Sequence, residues 1–181
     1  MKKILIIILT LIIVFSTTAC GTINKNNKNK KEISIVDENK NLEAKLFYNK
    51  KEKYTKPVTN YRGNTREITF SNKDLNLEFQ TYFTTFTTDS YKVSKKTRES
   101  QKYYAEYKFG KYKAYTYSNL DDVLYLNVYL GKKKEYGEII LYTSIKKIDN
   151  TKKESVKELF DSKNVQDLFK TLTFKIEKNN K

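Results

Sequence analysis

The sequence predicts an α+β fold, in which an antiparallel β-meander has one face covered by a C-terminal helix. Three runs alternate apolar and polar side chains with the period of a half-buried strand, at 75–83, 123–130 and 137–146. Towards the C-terminus the period changes to that of an amphipathic helix, with apolar residues at Val165, Leu168, Phe169 and Leu172. This apolar stripe needs a partner, and the inward face of the meander supplies it.

The predicted strands follow one another through short turns. They are placed at 44–49, 66–71, 75–83, 102–108, 112–118, 123–130 and 137–146. Turn-like sequences at Asn72-Lys73-Asp74 and Phe109-Gly110-Lys111 predict hairpins, and the Lys-rich segment 131–136 is predicted as the loop of the last hairpin. The polar segment 89–101 predicts a short solvated helix or a loop.

The C-terminal region predicts the helix that covers the sheet. Thr151-Lys152-Lys153-Glu154 has the spacing of a capping box, so the helix is expected to begin there. Asn164 is expected to cap a second stretch of helix. Residues 173–177 are predicted to form a closing strand.

The N-terminus has the layout of an export signal. Lys2 and Lys3 precede an apolar run at 4–15, and small residues then lead to Cys20, the single cysteine of the chain. A membrane-spanning helix needs about 20 apolar residues, so this run is too short to be one. An ordinary cleaved signal with an incidental cysteine and an uncleaved anchor are the alternative interpretations.

The segment Ser16-Thr17-Thr18-Ala19-Cys20 resembles the lipobox of bacterial lipoproteins of the Gram-positive type, with Thr17 where that family prefers Leu. The resemblance implies a diacylglycerol on Cys20 and cleavage after Ala19. It also implies that the protein is held at the extracellular face of the cell membrane. Stable anchoring takes two membrane-binding signals, and two acyl chains on one residue supply them.

The chain therefore divides into three predicted parts. Residues 1–19 are the signal peptide, 20–31 carry the lipidated cysteine and a Lys- and Asn-rich tether, and 32–181 form a single α+β domain. The last part is long enough to bury a core of its own.

The composition excludes several kinds of chemistry. The chain has no His, no Trp, one Cys and five Gly. Imidazole metal sites, Ser–His and Cys–His nucleophiles and Gly-rich phosphate loops are therefore excluded, and neither a cofactor nor a metal is expected.

The basic charge of the chain has two interpretations. Lys and Arg number 36 against 21 Asp and Glu, for a formal net charge of +15. Such a domain can contact an anionic envelope polymer, for example teichoic acid. Alternatively, an A/T-rich genome produces a Lys-rich surface without selection for a polyanion. Nucleic acid is not expected as a partner, because only Arg62, Arg66 and Arg98 offer the bidentate fork that reads bases.

Tyrosine alternates with lysine in the second predicted hairpin. Strand geometry places Tyr104 on one face of the first strand, and Tyr115 and Tyr117 on one face of the second. If the helix covers the opposite face, these rings and Lys113 form an open surface that suits a glycan or a protein partner. The alternative is that these tyrosines only cover a half-exposed sheet, a position that suits their β propensity.

The C-terminal half also carries a resemblance to known proteins. It comprises Tyr112-Lys113-Ala114-Tyr115, the two long strands that follow, and Val165-Gln166-Asp167-Leu168-Phe169-Lys170-Thr171-Leu172. Through these features, residues 102–176 resemble small uncharacterised lipoproteins and the PsbP-like sandwich. The resemblance implies a sheet packed against a helix, and it implies no activity because a fold of this kind hosts many functions.

The sequence predicts a membrane-tethered extracellular lipoprotein that acts as a non-catalytic binding or accessory module. Its expected partner is an envelope protein or an anionic envelope polymer. The alternative is an envelope hydrolase or transferase that works with carboxylates. Asp121, together with Glu135 or Glu138, is the candidate acid–base pair for that alternative.

Overall fold

The computed structural model describes residues 29–177, which form two antiparallel sheets and three helices. The strands are β1 Lys30–Val36, β2 Leu42–Asn49, β3 Val58–Arg62, β4 Thr65–Asn72, β5 Leu77–Phe86, β6 Ala105–Phe109, β7 Tyr112–Tyr117, β8 Val123–Lys133, β9 Gly137–Lys147 and β10 Thr173–Ile176. The helices are α1 Ser90–Arg98, α2 Val156–Asp161 and α3 Lys163–Lys170. The predicted signal peptide, Cys20 and most of the predicted tether lie outside the described residues. None of the helices within 29–177 is long and apolar enough to cross a membrane.

The larger sheet has seven strands in the order β3-β4-β5-β9-β8-β7-β6. Its neighbouring strands are antiparallel, and the predicted hairpins β4–β5, β6–β7 and β8–β9 are confirmed. The last hairpin is longer than expected, because the segment predicted as a loop at 131–136 stays paired as far as Lys133 and Gly137. A bulge between Tyr129 and Gly131 absorbs the change of register.

A second, three-stranded sheet corrects the prediction of a single meander. Its order is β1-β2-β10, so the predicted closing strand pairs with β2 rather than with the larger sheet. β1 begins at Lys30, which places Lys30 and Lys31 in a strand although the sequence analysis assigned them to the tether. The small sheet and the C-terminal helices together cover the inner face of the larger sheet. The coarse prediction, antiparallel strands with a C-terminal helix on one face, is therefore confirmed.

Phenylalanine side chains join these layers in the core. Phe79 of β5 stacks on Phe70 of β4 with ring centroids 4.9 Å apart, and it contacts Phe169 of α3 at 6.1 Å. Phe169 also packs against Phe109 of β6, at 5.4 Å. Each of these four rings is fully buried, so α3 contributes its apolar stripe to the centre of the molecule.

The C-terminal helix begins later than the sequence analysis predicted. The capping box consists of Ser155 and Glu158: the Ser155 side chain accepts from the Glu158 amide, and the Glu158 carboxylate accepts from the Ser155 amide. Thr151 lies in a turn, where its hydroxyl binds Asp149. The amide of Val156 donates to the Asp121 carbonyl at 2.8 Å, so the chain becomes helical only after it has reached β8.

The second stretch of helix also starts at a different residue. Ser162, rather than Asn164, precedes α3, and its side chain makes no capping hydrogen bond. The backbone at Ser162 leaves the helical conformation, which separates α2 from α3. This break gives each helix its own direction, so that Phe160 and Phe169 can both lie in the core with their centroids 5.8 Å apart.

The two capping-box candidates give a test of this helix start. We expect Ser155→Ala to lower the free energy of unfolding by about 1 kcal/mol, because the Glu158 amide at the start of α2 loses its side-chain acceptor. Thr151→Ala is the matched control and should change stability by less than about 0.5 kcal/mol. Urea unfolding followed by circular dichroism measures both, and a larger loss for Thr151→Ala would contradict this helix start.

Candidate functional site

Helix α1 lies across the outer face of the larger sheet, the face of β5, β9, β8 and β7 that is turned away from the core. The Tyr115 hydroxyl of β7 donates to the Ser94 hydroxyl of α1 at 2.9 Å. The ring of Tyr91, also on α1, packs 5.2 Å from the ring of Tyr115 and 5.0 Å from that of Tyr129. The helix expected at 89–101 therefore exists, but it covers the surface that the sequence analysis expected to be open.

The predicted binding residues are consequently placed differently. Tyr115 and Tyr117 share a face as predicted, yet they are only 1% and 8% exposed. Tyr104 is half-buried beside Tyr115, with a centroid distance of 6.3 Å, and Lys113 is exposed. The prediction of an open array of stacking rings is therefore wrong, because α1 and its side chains lie over the tyrosines.

A buried carboxylate holds the N-terminus of α1 in place. Glu138 of β9 is 6% exposed, and its Oε2 accepts from the Tyr91 amide at 2.9 Å. Asp89, the residue directly before the helix, makes no capping bond and instead pairs with Lys132 at 3.0 Å. A carboxylate at a helix N-terminus satisfies an unpaired N–H and stabilises the positive end of the helix dipole. Glu138 of the sheet therefore caps α1 in place of a residue next to the helix in sequence.

The glycine before Glu138 makes this approach possible. Gly137 has a φ of +70°, and a Cβ placed there would lie 2.0 Å from the Phe86 carbonyl oxygen of β5. Any side chain would therefore push β9 away from the end of β5. Because Phe86 pairs with Glu138 in the sheet, this close contact brings the carboxylate to the start of α1.

Two side chains of α1, Lys95 and Arg98, hold its other end against the sheet. Lys95 forms an ion pair with Glu106 of β6 at 2.8 Å, and the hydrogen bond from Lys95 holds the pKa of that carboxyl below its usual value. Glu106 also accepts from the Tyr104 hydroxyl at 2.9 Å. The Arg98 guanidinium lies over the Tyr117 ring, 4.8 Å from its centroid. Tyr104 therefore helps to seat α1 rather than standing open to a ligand.

Beyond α1, a row of tyrosines crosses four neighbouring strands of the outer face. We call it the tyrosine ladder, and it consists of Tyr117 of β7, Tyr125 of β8, Tyr142 of β9 and Tyr82 of β5. Successive ring centroids lie 5.2, 6.0 and 4.9 Å apart. Burial raises the pKa of Tyr142 and of Tyr82 above the usual value for a tyrosine, so both phenols stay uncharged at neutral pH.

A groove of about 600 Å³ opens between α1 and the tyrosine ladder. Its floor is formed by Tyr82, Tyr117, Tyr142, Asn127 and Ile140, and Ser94 and Thr97 contribute hydroxyls from the helix. Phe86 and Val93 lie at its rim and are 40% and 64% exposed. The volume is that of a small-molecule site, and the mixture of rings with a few hydroxyl and amide groups is typical of one.

Carboxylates are sparse in this groove. Asp89 is the only one among its lining residues, and it is engaged by Lys132. Within residues 29–177, no group of three or more Asp, Glu, Cys or His side chains is arranged to hold a metal ion.

The predicted acid–base pair is not assembled. Val123 pairs with Lys146 at one end of β8–β9 and Lys132 pairs with Glu138 at the other, so Val123 and Glu138 are separated by about 25 Å of strand, and Asp121 precedes Val123 at the far end. Asp121 instead binds Lys102 at 2.7 Å and the Tyr103 hydroxyl. Neither Asp121 nor Glu135 lines the groove.

Sequence reasoning found Tyr117 but missed the other three members of the tyrosine ladder, Tyr82, Tyr125 and Tyr142. Tyr82 and Tyr142 occupy outward positions of strands whose alternation was recognised, so the signal was present in the sequence. Their importance depends on the pairing of β5 with β9, in which the two residues are directly opposite. That pairing joins segments 60 residues apart and is not visible in a local pattern.

No family model, no curated protein and no solved structure matches this chain. The resemblance to lipoproteins and to the PsbP-like sandwich stays a prediction. The function is therefore inferred from the chemistry of the groove and from the N-terminal sequence.

Removal of the Glu138 cap should loosen α1 without unfolding the sheet. We expect Glu138→Ala to speed amide hydrogen exchange in α1 by about 5- to 30-fold, the effect of losing roughly 1–2 kcal/mol at the helix N-terminus. Glu135→Ala, an exposed change in the same hairpin, is the control and should leave exchange unchanged. Equal exchange in the two variants would show that α1 is held by its other contacts.

Because several tyrosines are buried, we expect the protein to lose stability at alkaline pH. Burial raises the pKa of Tyr91, Tyr115 and Tyr142 in the folded protein, whereas tyrosines of the unfolded chain ionise near pH 10. Because the phenols ionise more readily in the unfolded chain, the free energy of unfolding keeps its full value below about pH 10 and decreases as the pH rises above it. Phenolate absorbance should show a late class of tyrosines that ionises together with the loss of circular dichroism. Ionisation of all tyrosines near pH 10 with the sheet intact would contradict this.

Proposed function

We propose that this protein is a non-catalytic binding module, held at the extracellular face of the cell membrane by a lipid on Cys20, with the groove beneath α1 as its ligand site. The anchor is supported by the order of basic, apolar and small residues before the single cysteine. The binding role is supported chiefly by one observation: the groove is lined by uncharged rings and hydroxyls, with one carboxylate that is already paired.

The ligand class that best fits the groove is a sugar unit of an envelope polymer. The C–H face of a sugar can lie on the rings of Tyr82 and Tyr142, while Asn127 and Ser94 offer donors and acceptors for its hydroxyl groups. The basic charge of the domain suits a polymer whose other units are anionic, such as teichoic acid.

A protein segment is the second candidate ligand. It is favoured by the exposure of Phe86 and Val93 at the rim, since exposed apolar side chains beside a concave site are typical of protein contacts. A bound segment would place an apolar side chain between them.

Carboxylate catalysis is less well supported than binding. Glycoside hydrolysis by two carboxylates needs them about 5–10 Å apart on either side of the scissile bond. Asp89 is the single acid of the groove, and Glu138 is occupied as the cap of α1. These placements favour a module that holds its ligand without cleaving it.

The anchor is tested with Cys20→Ser. We expect complete loss of metabolic fatty-acid labelling and release of the protein from the membrane fraction, because no other cysteine is present to carry the lipid. Label that persists in this variant would refute the anchor while leaving the groove proposal in place.

The groove is tested with a matched pair of substitutions on β5. Thr84 lines the groove, and its neighbour Thr85 is exposed on the opposite side of the strand. We expect Thr84→Trp to fill the groove and to weaken co-sedimentation with insoluble Gram-positive cell-wall fragments by about tenfold, whereas Thr85→Trp retains it. Circular dichroism confirms that both variants are folded. Equal binding by the two variants would rule the groove out as the site of wall contact.

A further inference from the structure

We propose a second ligand site at the N-terminal end of the domain: a cleft at the end of β1 and β2 that receives the phosphate of an anionic lipid headgroup. This proposal rests on the lipid anchor proposed above, and it concerns a surface distinct from the groove beneath α1. The cleft has a volume of about 670 Å³. It is lined by three lysines, Lys30, Lys31 and Lys56, around the aromatic rings of Tyr48 and Tyr54.

The three lysines provide positive charge that the described protein does not neutralise. Within residues 29–177, none of them lies within 4.0 Å of a carboxylate, whereas Lys45, nearby on β2, pairs with Glu32 at 3.2 Å and with Glu43 at 3.6 Å. Lysines without a partner around one concavity suit a phosphate, which Lys binds as a point charge.

The acidic groups at this end are already engaged. Glu32, which also lines the cleft, binds Lys45, and the Glu52 carboxylate accepts from the Asn49 amide at 3.2 Å. Lys50 and Lys51 follow β2 directly and are exposed at the same end. The local charge is therefore positive even when both acids are ionised.

Tyr54 supplies a buried donor in the wall of the cleft. The residue is 8% exposed, and its ring packs 4.9 Å from that of Tyr48 and 6.2 Å from that of Phe70. Its hydroxyl is buried and donates no hydrogen bond within the described part of the chain, although the Asn72 amide group lies close enough to lower the pKa of the phenol. The Oδ1 of Asn72, a residue paired with Tyr54 through a backbone bridge, instead accepts from the amides of Asp74 and Leu75.

A phosphate oxygen would complete the hydrogen bonding of this hydroxyl. Buried donors almost always have an acceptor, so a hydroxyl that donates to no protein group in the wall of a basic cleft points to a ligand acceptor. Burial raises the pKa of Tyr54, which keeps the phenol protonated and able to donate.

The length of chain before β1 selects a lipid headgroup as the source of the phosphate. Ten residues separate Lys30 from Cys20, so the cleft lies at most about 35 Å from the anchored residue. Anchoring therefore keeps this end of the domain near the membrane surface. An anionic headgroup layer attracts juxtamembrane lysines at that distance.

Lysine footprinting on proteoliposomes tests the site. The mature acylated protein is placed in vesicles of phosphatidylglycerol or of phosphatidylcholine, and acetylation of individual lysines is measured by mass spectrometry. We expect Lys30, Lys31 and Lys56 to react about threefold more slowly in phosphatidylglycerol, while Lys113 and Lys134 react equally in both lipids. Equal reactivity of the three cleft lysines in the two lipids would overturn the proposal.

Tyr54→Phe separates a built site from diffuse attraction between the basic domain and the membrane. The variant keeps the ring and its packing but loses the hydroxyl, so protection of Lys31 and Lys56 should fall by about half. Lys108→Gln removes an exposed charge elsewhere and should leave the protection intact. Protection in Tyr54→Phe equal to that of the unaltered protein would show that the phosphate does not occupy the cleft.

Two further additions identify the source of the phosphate, both with the protein in phosphatidylcholine vesicles. Glycerol phosphate or isolated teichoic acid should protect the cleft lysines less than phosphatidylglycerol does. Stronger protection by either would overturn the headgroup assignment in favour of a free phosphate or a wall polymer.

The anchor and the groove can fail independently of this site. If the anchor proposal is wrong, the protein will not co-float with phosphatidylcholine vesicles. The headgroup site can then still be tested, by adding phosphatidylglycerol vesicles to the protein in solution and measuring protection of the cleft lysines. Thr84→Trp should leave the lysine protection unchanged, since that residue lines only the groove beneath α1.

Discussion

A buried carboxylate at the start of β9 determines how the outer half of this molecule is built. Glu138 accepts a hydrogen bond from the Tyr91 amide and thereby holds the first turn of α1 over the sheet. The close approach of Gly137 to Phe86 brings that carboxylate to its position. With α1 seated there, Tyr115 is buried and the space between the helix and the tyrosine ladder becomes a groove. Without it, the same strands would present an open aromatic face, and a sheet with such a face is prone to association.

Tyrosine suits the outer face because that face is only partly covered. The inner face, sealed by the small sheet and two helices, uses mainly phenylalanine and aliphatic residues, and its buried tyrosines are Tyr48, Tyr54 and Tyr112. The outer face lies beneath a single nine-residue helix, so its rings meet protein on one side and the groove on the other. A phenol can bury its ring and still direct a hydroxyl to a partner, as Tyr115 does with Ser94. The groove has the same mixed character, and this is the reason for which we propose a hydroxyl-rich ligand rather than a charged one.

The features that sequence reasoning could predict are those set by local periodicity. The strands from β4 to β9 follow from alternation, and the apolar stripe of α3 follows from helical spacing, since each pattern repeats within a few residues. The position of α1 was not predictable, because it depends on Glu138, 47 residues away from Tyr91. Two capping-box spacings occur in succession near the C-terminus, and a contact with Asp121 selects the second. For the site, the shared face of Tyr115 and Tyr117 was predicted correctly, but the packing of α1 over them was not predicted.

The pairing of β10 with β2 carries a consequence for how the molecule reaches its native state. Ribosomes synthesise chains from the N-terminus, so β2 is made long before its partner β10. The bonds between Phe47 and Thr171 join residues 124 positions apart, and the small sheet stays incomplete until they form. Topologies rich in such distant contacts fold slowly, and the waiting strand edge is open to other chains. β10 therefore completes the small sheet last, and a chain truncated before β10 would leave the β1–β2 hairpin exposed to aggregation.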